Sequence, residues 1–313
     1  MLDTRKVRKR RLVVTVLALV FAVGAQTGPA AAEDDPPFVG WSAVLPPLAG
    51  DYEPTSSDDC VAGRVQCVKK IIREMERRFD PQAEQCAHSA VFALAYLRTT
   101  EKYLQTTLTP GFYDDPSFVN HEDAAFAAMY FDAFGAWAAG QVERVPPAWR
   151  VAFEAADGRR VTGSGDLLLG MNAHVNRDLP FLLAAIGLVA PDGTSRKPDH
   201  DRINVMLNSV VEPLMAEEAA RFDPDMERVQ TPYGVGYTPL MQLLVEWRES
   251  AWRQAELLVA APDDGARAQV AASIEATAAL NAQAIVASTS YVAPLTSSGT
   301  RDAYCAARVG TGG

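Results

Sequence analysis

Four stretches of the 313-residue chain put ionisable side chains where an apolar core face is due. In Gly170-Met-Asn-Ala-His-Val-Asn-Arg-Asp178, His174 and Asp178 stand four residues apart. On a helix they share a face with Leu167, Met171 and, if the helix runs past Pro180, Phe181. Only Arg177 and Asp178 are charged between residues 167 and 184, so this helix reads as buried nearly all round. A carboxylate held there has to be paired, hydrogen-bonded or metal-bound. One imidazole nitrogen beside one carboxylate oxygen suits a first-row metal or an acid–base pair. It equally suits a buried hydrogen bond that orients the helix.

The second stretch is Asp199-His-Asp-Arg-Ile-Asn204. Asp199 as helix cap and Asp201 in the first turn suit the positive end of a helix. His200 and Asn204 then project together. A His-Asp pair with a separate upstream His is weakly similar to helical metal phosphohydrolases, although there the pair sits inside an apolar helix. The third is Arg248, in the middle of the stripe Met241, Leu244, Arg248, Ala251, Ala255, Leu258. An arginine in a core stripe needs a carboxylate or an anionic ligand, because its charge cannot be shed. Asp178, Asp201 and Asp123 are the candidate partners. The fourth carries His121, Asp123, Tyr130 and Asp132, with Asp123 on the inward Phe126/Tyr130/Phe134 face.

Two functions follow. In one, His174, Asp178, His200 and His121 bind one divalent metal, zinc or manganese. The metal activates a water for hydrolysis of a phosphoester or small ester, and Asp201, Asn204 and Arg248 complete the catalytic set. In the other, the same buried groups are a structural network in a non-catalytic, envelope-associated or ligand-binding protein. Trp137, Trp247, Trp252 and Tyr130 then line a pocket for a lipid-like or small aromatic molecule. No Gly-x-Ser-x-Gly, phosphate-cradling loop, dinucleotide fingerprint or His-Glu-x-x-His is present.

The elements that must position these residues read as helices. An amphipathic stretch from Ile71 ends near Phe79, before Pro81, and a second runs from about Pro81 to Leu104. Asp115-Pro116 is a cap followed by proline at the first helical position. Pro146-Pro147 opens a shorter helix. A long one runs from Asp166 to about Leu188, bent or broken at Pro180. Asp199 caps the next, and two more span about 239–260 and 264–288. Only 229–238 hints at strand alternation. The expectation is one all-α domain of about eight helices over residues 58–290. A proline-rich extended arm at 33–57 is anchored by Trp41, and a Gly/Ser/Thr-rich tail occupies 291–313.

Residues 1–32 combine a basic start, the 14-residue apolar run Leu12–Ala25 and an Ala-x-Ala end, the three parts of a secretory signal cleaved after Ala32. No later stretch reads as transmembrane. The formal charge of −10 becomes −15 once that segment's six basic and one acidic residues go, which disfavours nucleic acid and anionic membranes as partners. Cys60, Cys67, Cys86 and Cys305 form an even set in an exported chain, so two disulfides are expected. Three pairings are open. Cys60–Cys67 would close a small loop, and Cys86–Cys305 would tie the tail to the second helix.

Cys60-x6-Cys67, Pro147-Ala-Trp149, Met171-Asn-Ala-His-Val-Asn-Arg-Asp-Leu179, His200-Asp-Arg-Ile-Asn204 and Trp247-Arg-x2-Ala-Trp252 together resemble domain-of-unknown-function family 5995, uncharacterised bacterial helical proteins. The likeness covers most of residues 40–260. It implies an all-α fold and brings no activity.

Overall fold

A computed structural model describes residues 52–229, 238–290 and 300–309. The expected signal segment, Trp41 with most of the arm, and the alternation at 229–238 apart from its first and last positions lie outside the described residues. The described chain is helical throughout, with no strand. The helices are α1 (Val65–Glu84), α2 (Ser89–Thr107), α3 (Pro116–Ala138), α4 (Pro147–Asp157), α5 (Gly163–Met171), α6 (Leu179–Ile186), α7 (Lys197–Arg221), α8 (Thr238–Ala260), α9 (Asp264–Thr289) and α10 (Thr300–Val309). A π-helical segment, Asn172–Asp178, joins α5 to α6 without a break.

α2 is the centre. Every residue from Ala90 to Leu97 is buried, and α1, α3, α4, α5 and α7 all pack against it. A helix apolar on all sides has no solvent face to offer. It is approached most closely by α5: a Cβ added at Gly170 would sit 2.2 Å from Cγ of Phe92, so only glycine lets the two helices meet there. α1 buries Cys67, Val68, Ile71, Met75 and Phe79, the expected stripe, but runs past Pro81 to Glu84. Proline in a last turn forfeits only one backbone bond. The break comes instead at Cys86, whose left-handed backbone (φ 52°) turns the chain into α2.

α3 starts as read: Pro116 follows Asp115, whose carboxylate accepts from the Phe118 N–H at 3.0 Å. α7 does not. It begins at Lys197, so Asp199 lies inside its first turn. There its carboxylate accepts from the N–H groups of Asp114 (2.8 Å) and Asp115 (2.9 Å), pinning the start of α3 instead of capping its own helix. The chain also passes Pro180 without breaking. The π turn ahead of it widens the backbone, which relieves the clash a proline ring makes with the carbonyl four residues earlier.

α9 departs from the expectation that nothing later reaches transmembrane length. Among the described residues it alone is long and apolar enough, with a mean hydropathy of 1.3. Much of that comes from alanine. Its Ile274, Ala278 and Ala282 are buried in the core, and Glu275 pairs with Arg177.

Both disulfides form as Cys60–Cys67 and Cys86–Cys305, and the tail contains a helix, α10, carrying Cys305. That bond fastens α10 to the α1–α2 corner, where buried Arg301 donates to the Ala87 carbonyl at 3.0 Å. The two bonds close loops of very different length, with separations of 7 and 219 residues. Chain entropy therefore predicts that Cys86→Ser with Cys305→Ser lowers unfolding free energy by about 3–5 kcal/mol, against about 2 for the Cys60/Cys67 pair. Urea unfolding of both double variants checks the order; equal losses would refute it.

Candidate functional site

Helices α2, α3, α5 with its π extension, α6, α7 and α8 line a cavity of about 140 Å³ that is partly open to solvent. Its walls are mostly Leu, Met, Val, Ile and Phe, and a short set of polar side chains interrupts them: Tyr96, Tyr103, Thr99, Thr100, Glu122, Asp123, His174 and Arg248. Apolar walls with a few convergent polar groups are the ordinary make-up of a small-molecule site.

His174 reaches the cavity from the π segment. Its Nδ1 lies 3.0 Å from Oδ2 of Asp178, one turn on. Asp178 is wholly buried (0% exposed) and also accepts from Nε1 of Trp149 at 2.8 Å and Nη1 of Arg177 at 2.9 Å. Surrounded by donors, that carboxylate fixes the imidazole tautomer with the proton on Nδ1. The guanidinium of Arg177 is shared with Glu275 on α9. Phe126 stacks flat on the imidazole at 3.5 Å, and Tyr96 meets it edge-on at 4.6 Å. Burial pushes the His174 pKa below its ordinary value, outweighing the Asp178 contribution. The ring is therefore neutral near pH 7, and Nε2, a lone pair in a buried place, has no hydrogen-bond partner.

Two further polar atoms of the cavity wall share that condition: the Tyr96 hydroxyl and Oδ2 of Asp123. Burial, then the neighbouring Glu122 charge, pushes the Asp123 pKa up to about 8. Near neutral pH Asp123 is chiefly a protonated carboxyl, a donor. Tyr96 is held neutral chiefly by burial. The wall residues thus carry one unpaired acceptor and two unpaired donors, all three atoms buried. Glu122 is pushed up to about 7, again by burial, with Arg248 and Arg196 opposing.

Arg248 forms another part of the wall, in the stripe read from sequence, all six members of which are buried. Its Nε donates to Oδ1 of Asn204 at 2.8 Å and its Nη2 to the His200 carbonyl at 2.7 Å. Those partners are neutral. Burial lowers its pKa to about 10, so the guanidinium stays charged. None of Asp178, Asp201 or Asp123 forms an ion pair with it. Among the described residues no carboxylate lies within salt-bridge distance.

The four residues expected to ligate one metal do not come together. His174 and Asp178 touch, but His200 contacts the Arg248 carbonyl (3.2 Å) and packs on Trp252, while His121 hydrogen-bonds the Cys60 carbonyl through Nδ1 at 2.9 Å. Among the described residues no group of three or more His, Cys, Asp or Glu side chains is disposed to hold a metal ion. Asp201 is half exposed and pairs with Lys197 at 2.5 Å, outside the cavity. Asn204 positions Arg248. The expected aromatic lining is different too. Tyr130 packs among Phe92 and Trp149, Trp137 bonds Asp157 near the surface, and neither Trp247 nor Trp252 lines the cavity. Tyr96, Glu122 and Trp149 were not singled out from sequence.

A family model described as a family of unknown function, DUF5995, matches residues 68–288. Neither a curated protein nor a solved structure matches the chain.

Asp178→Asn leaves a buried guanidinium and two other donors with one acceptor fewer. Unfolding free energy should fall by about 3–5 kcal/mol, and a loss under about 1 kcal/mol in urea titrations would show that the network does not hold the helices. Asp123 gives a pH test. Its folded pKa lies above the unfolded value, so folding takes up a proton between about pH 4 and 8 and stability falls as pH rises through that window, by at most about 1.4 kcal/mol per unit. Asp123→Asn removes that slope: the variant should gain on the wild type from pH 5 to 8, read as a Tm difference that widens with pH. A constant difference refutes it.

Proposed function

The chain belongs to the DUF5995 family, whose function is unknown, and from its cavity we propose that it binds a small, largely apolar molecule bearing a carboxylate. Arg248 carries this reading. A guanidinium 4% exposed, with neutral hydrogen-bond partners and no ion pair among the described residues, sits on the wall of an apolar cavity. A charge desolvated to that degree is paired or awaits an anion. Its Nη1 makes no hydrogen bond among the described residues, so the arginine has a donor to spare. A carboxylate takes arginine's planar fork better than any neutral head group.

Size narrows the choice. A cavity near 150 Å³ holds a molecule about as large as benzene, so a short aliphatic or aryl acid fits the 140 Å³ here. The tail meets Leu207, Val210, Val211 and Leu244. The metal-dependent ester hydrolase is the weaker reading, since its ligand set is not assembled. Two disulfides support the expected export to an oxidising compartment.

Butyrate and benzoate, titrated by calorimetry, should bind, and the corresponding methyl esters should bind at least about tenfold more weakly, as loss of a buried charged hydrogen bond dictates. Arg248→Met should remove the preference for acid over ester. Equal affinity of acids and esters for the wild type would refute the carboxylate assignment.

A further inference from the structure

Fewer polar atoms reach open space in the cavity than its polar residues suggest. Tyr103 donates its hydroxyl proton to Asn120, and Thr99 and Thr100 donate theirs to the carbonyls of Ala95 and Tyr96. The Tyr96 hydroxyl, Nε2 of His174 and Oδ2 of Asp123 are sealed by their neighbours. The Glu122 carboxyl differs. It makes no hydrogen bond among the described residues, yet neither of its oxygens belongs to the sealed unpaired atoms, so both meet free volume. Nη1 of Arg248 is in the same state. An acid on α3 and a cation on α8 therefore border one apolar space with atoms that a ligand can touch.

Arg248 is the foremost charge acting on Glu122, and Glu122 the foremost acting on Arg248, but no salt bridge closes between them. Arg196 and Asp199, the next charges out, act on Glu122 in opposite directions. Each of the two is fixed on its own side. Arg248 is held by Asn204 and the His200 carbonyl. The start of α3 is pinned by Asp199, and Phe118, one turn before Glu122, lies under the Arg196 guanidinium at 3.1 Å. Opposite charges that share an apolar space without pairing leave a place between them for a molecule. A plain carboxylate on Arg248 brings a second negative charge near Glu122, where little solvent offsets it. A cationic nitrogen beside that carboxylate removes the excess.

We propose that the cavity takes a small apolar α-amino acid, its carboxylate on Arg248 and its ammonium on Glu122. The proposal rests on the carboxylate reading of the cavity and names the rest of the head group. Both charged groups branch from one carbon, so one end of the molecule meets both walls. The hydrocarbon side chain is left to Leu207, Val210, Val211 and Leu244.

Three probes of one carbon skeleton separate the contributions: L-valine, 3-methylbutanoate without the ammonium, and isobutylamine without the carboxylate. Titrated by calorimetry at pH 8, L-valine should bind the wild type at least about tenfold more tightly than either, the effect of a buried charged hydrogen bond. Glu122→Gln keeps the shape and removes the charge. It should erase the preference for L-valine over 3-methylbutanoate while affinity for 3-methylbutanoate does not fall. Wild type that binds 3-methylbutanoate as tightly as L-valine overturns the ammonium assignment and leaves the carboxylate site standing. A preference that survives Glu122→Gln overturns the role of Glu122. If that variant does not fold, the wild-type comparison decides. Benzoate that binds where L-valine does not overturns this proposal alone. Failure of benzoate and all three probes overturns the ligand site and this proposal with it.

Discussion

Everything near the cavity depends on one carboxylate. Asp178 sits with no exposure in the middle of the helices and accepts from three side chains of different origin: an indole from α4, a guanidinium from the adjacent residue and an imidazole one turn back. A bare carboxylate there would cost several kcal/mol. Three donors repay that, and in doing so they bind α4 to the π segment and, through Arg177 and Glu275, to α9. The π turn belongs to the same constraint. It carries Asn172 through Asp178 past Pro180 while His174 and Asp178 stay within hydrogen-bond reach. Asn172 then donates to the Ala278 carbonyl, a second tie to α9. π turns interrupt helices at functional sites often enough to be a pointer.

A second polar cluster lies under α10 and shows how the molecule treats such groups when they only stabilise. His88 joins Asp166, whose carboxyl is pushed up to about 6 by burial, and Arg301 lies beside them, donating to the carbonyls of the α1–α2 corner. Glu218, also buried in this region, is raised well above its ordinary range by burial. These groups are shut in by a helix fastened with a disulfide, and none of them lines the cavity. The contrast with the cavity is one of access, since both clusters contain buried acids and a histidine.

Much of this was legible. Period fixed the Arg248 stripe, because a three-and-four spacing of apolar residues has one helical reading and a charge inside it stands out. The i,i+4 spacing placed His174 against Asp178, and the Phe126/Tyr130/Phe134 face turned Asp123 inward. What periodicity cannot show is a void. Tyr96 sits in a helix apolar on every side, so nothing marks which of its aromatics borders empty space. Trp149 bonds Asp178 across 29 residues of chain, a contact with no local trace. The four expected metal ligands do not meet for a related reason: spacing puts His200 and Asn204 on one face, but the turn of α7 aims that face at Arg248, 48 residues away from His200, and not at His174.

Stability alone does not account for the cavity wall. A fold selected only for packing would fill a 140 Å³ space or line it with hydrocarbon, since each buried polar atom left unpaired costs about 1–3 kcal/mol. This chain leaves three on residues of that wall, on three different helical segments, and adds an arginine with no carboxylate in salt-bridge distance among the described residues, Glu122 acting on it only at longer range. The three unpaired atoms lie sealed among their neighbours, whereas the guanidinium of Arg248 is the group that the proposed carboxylate would meet.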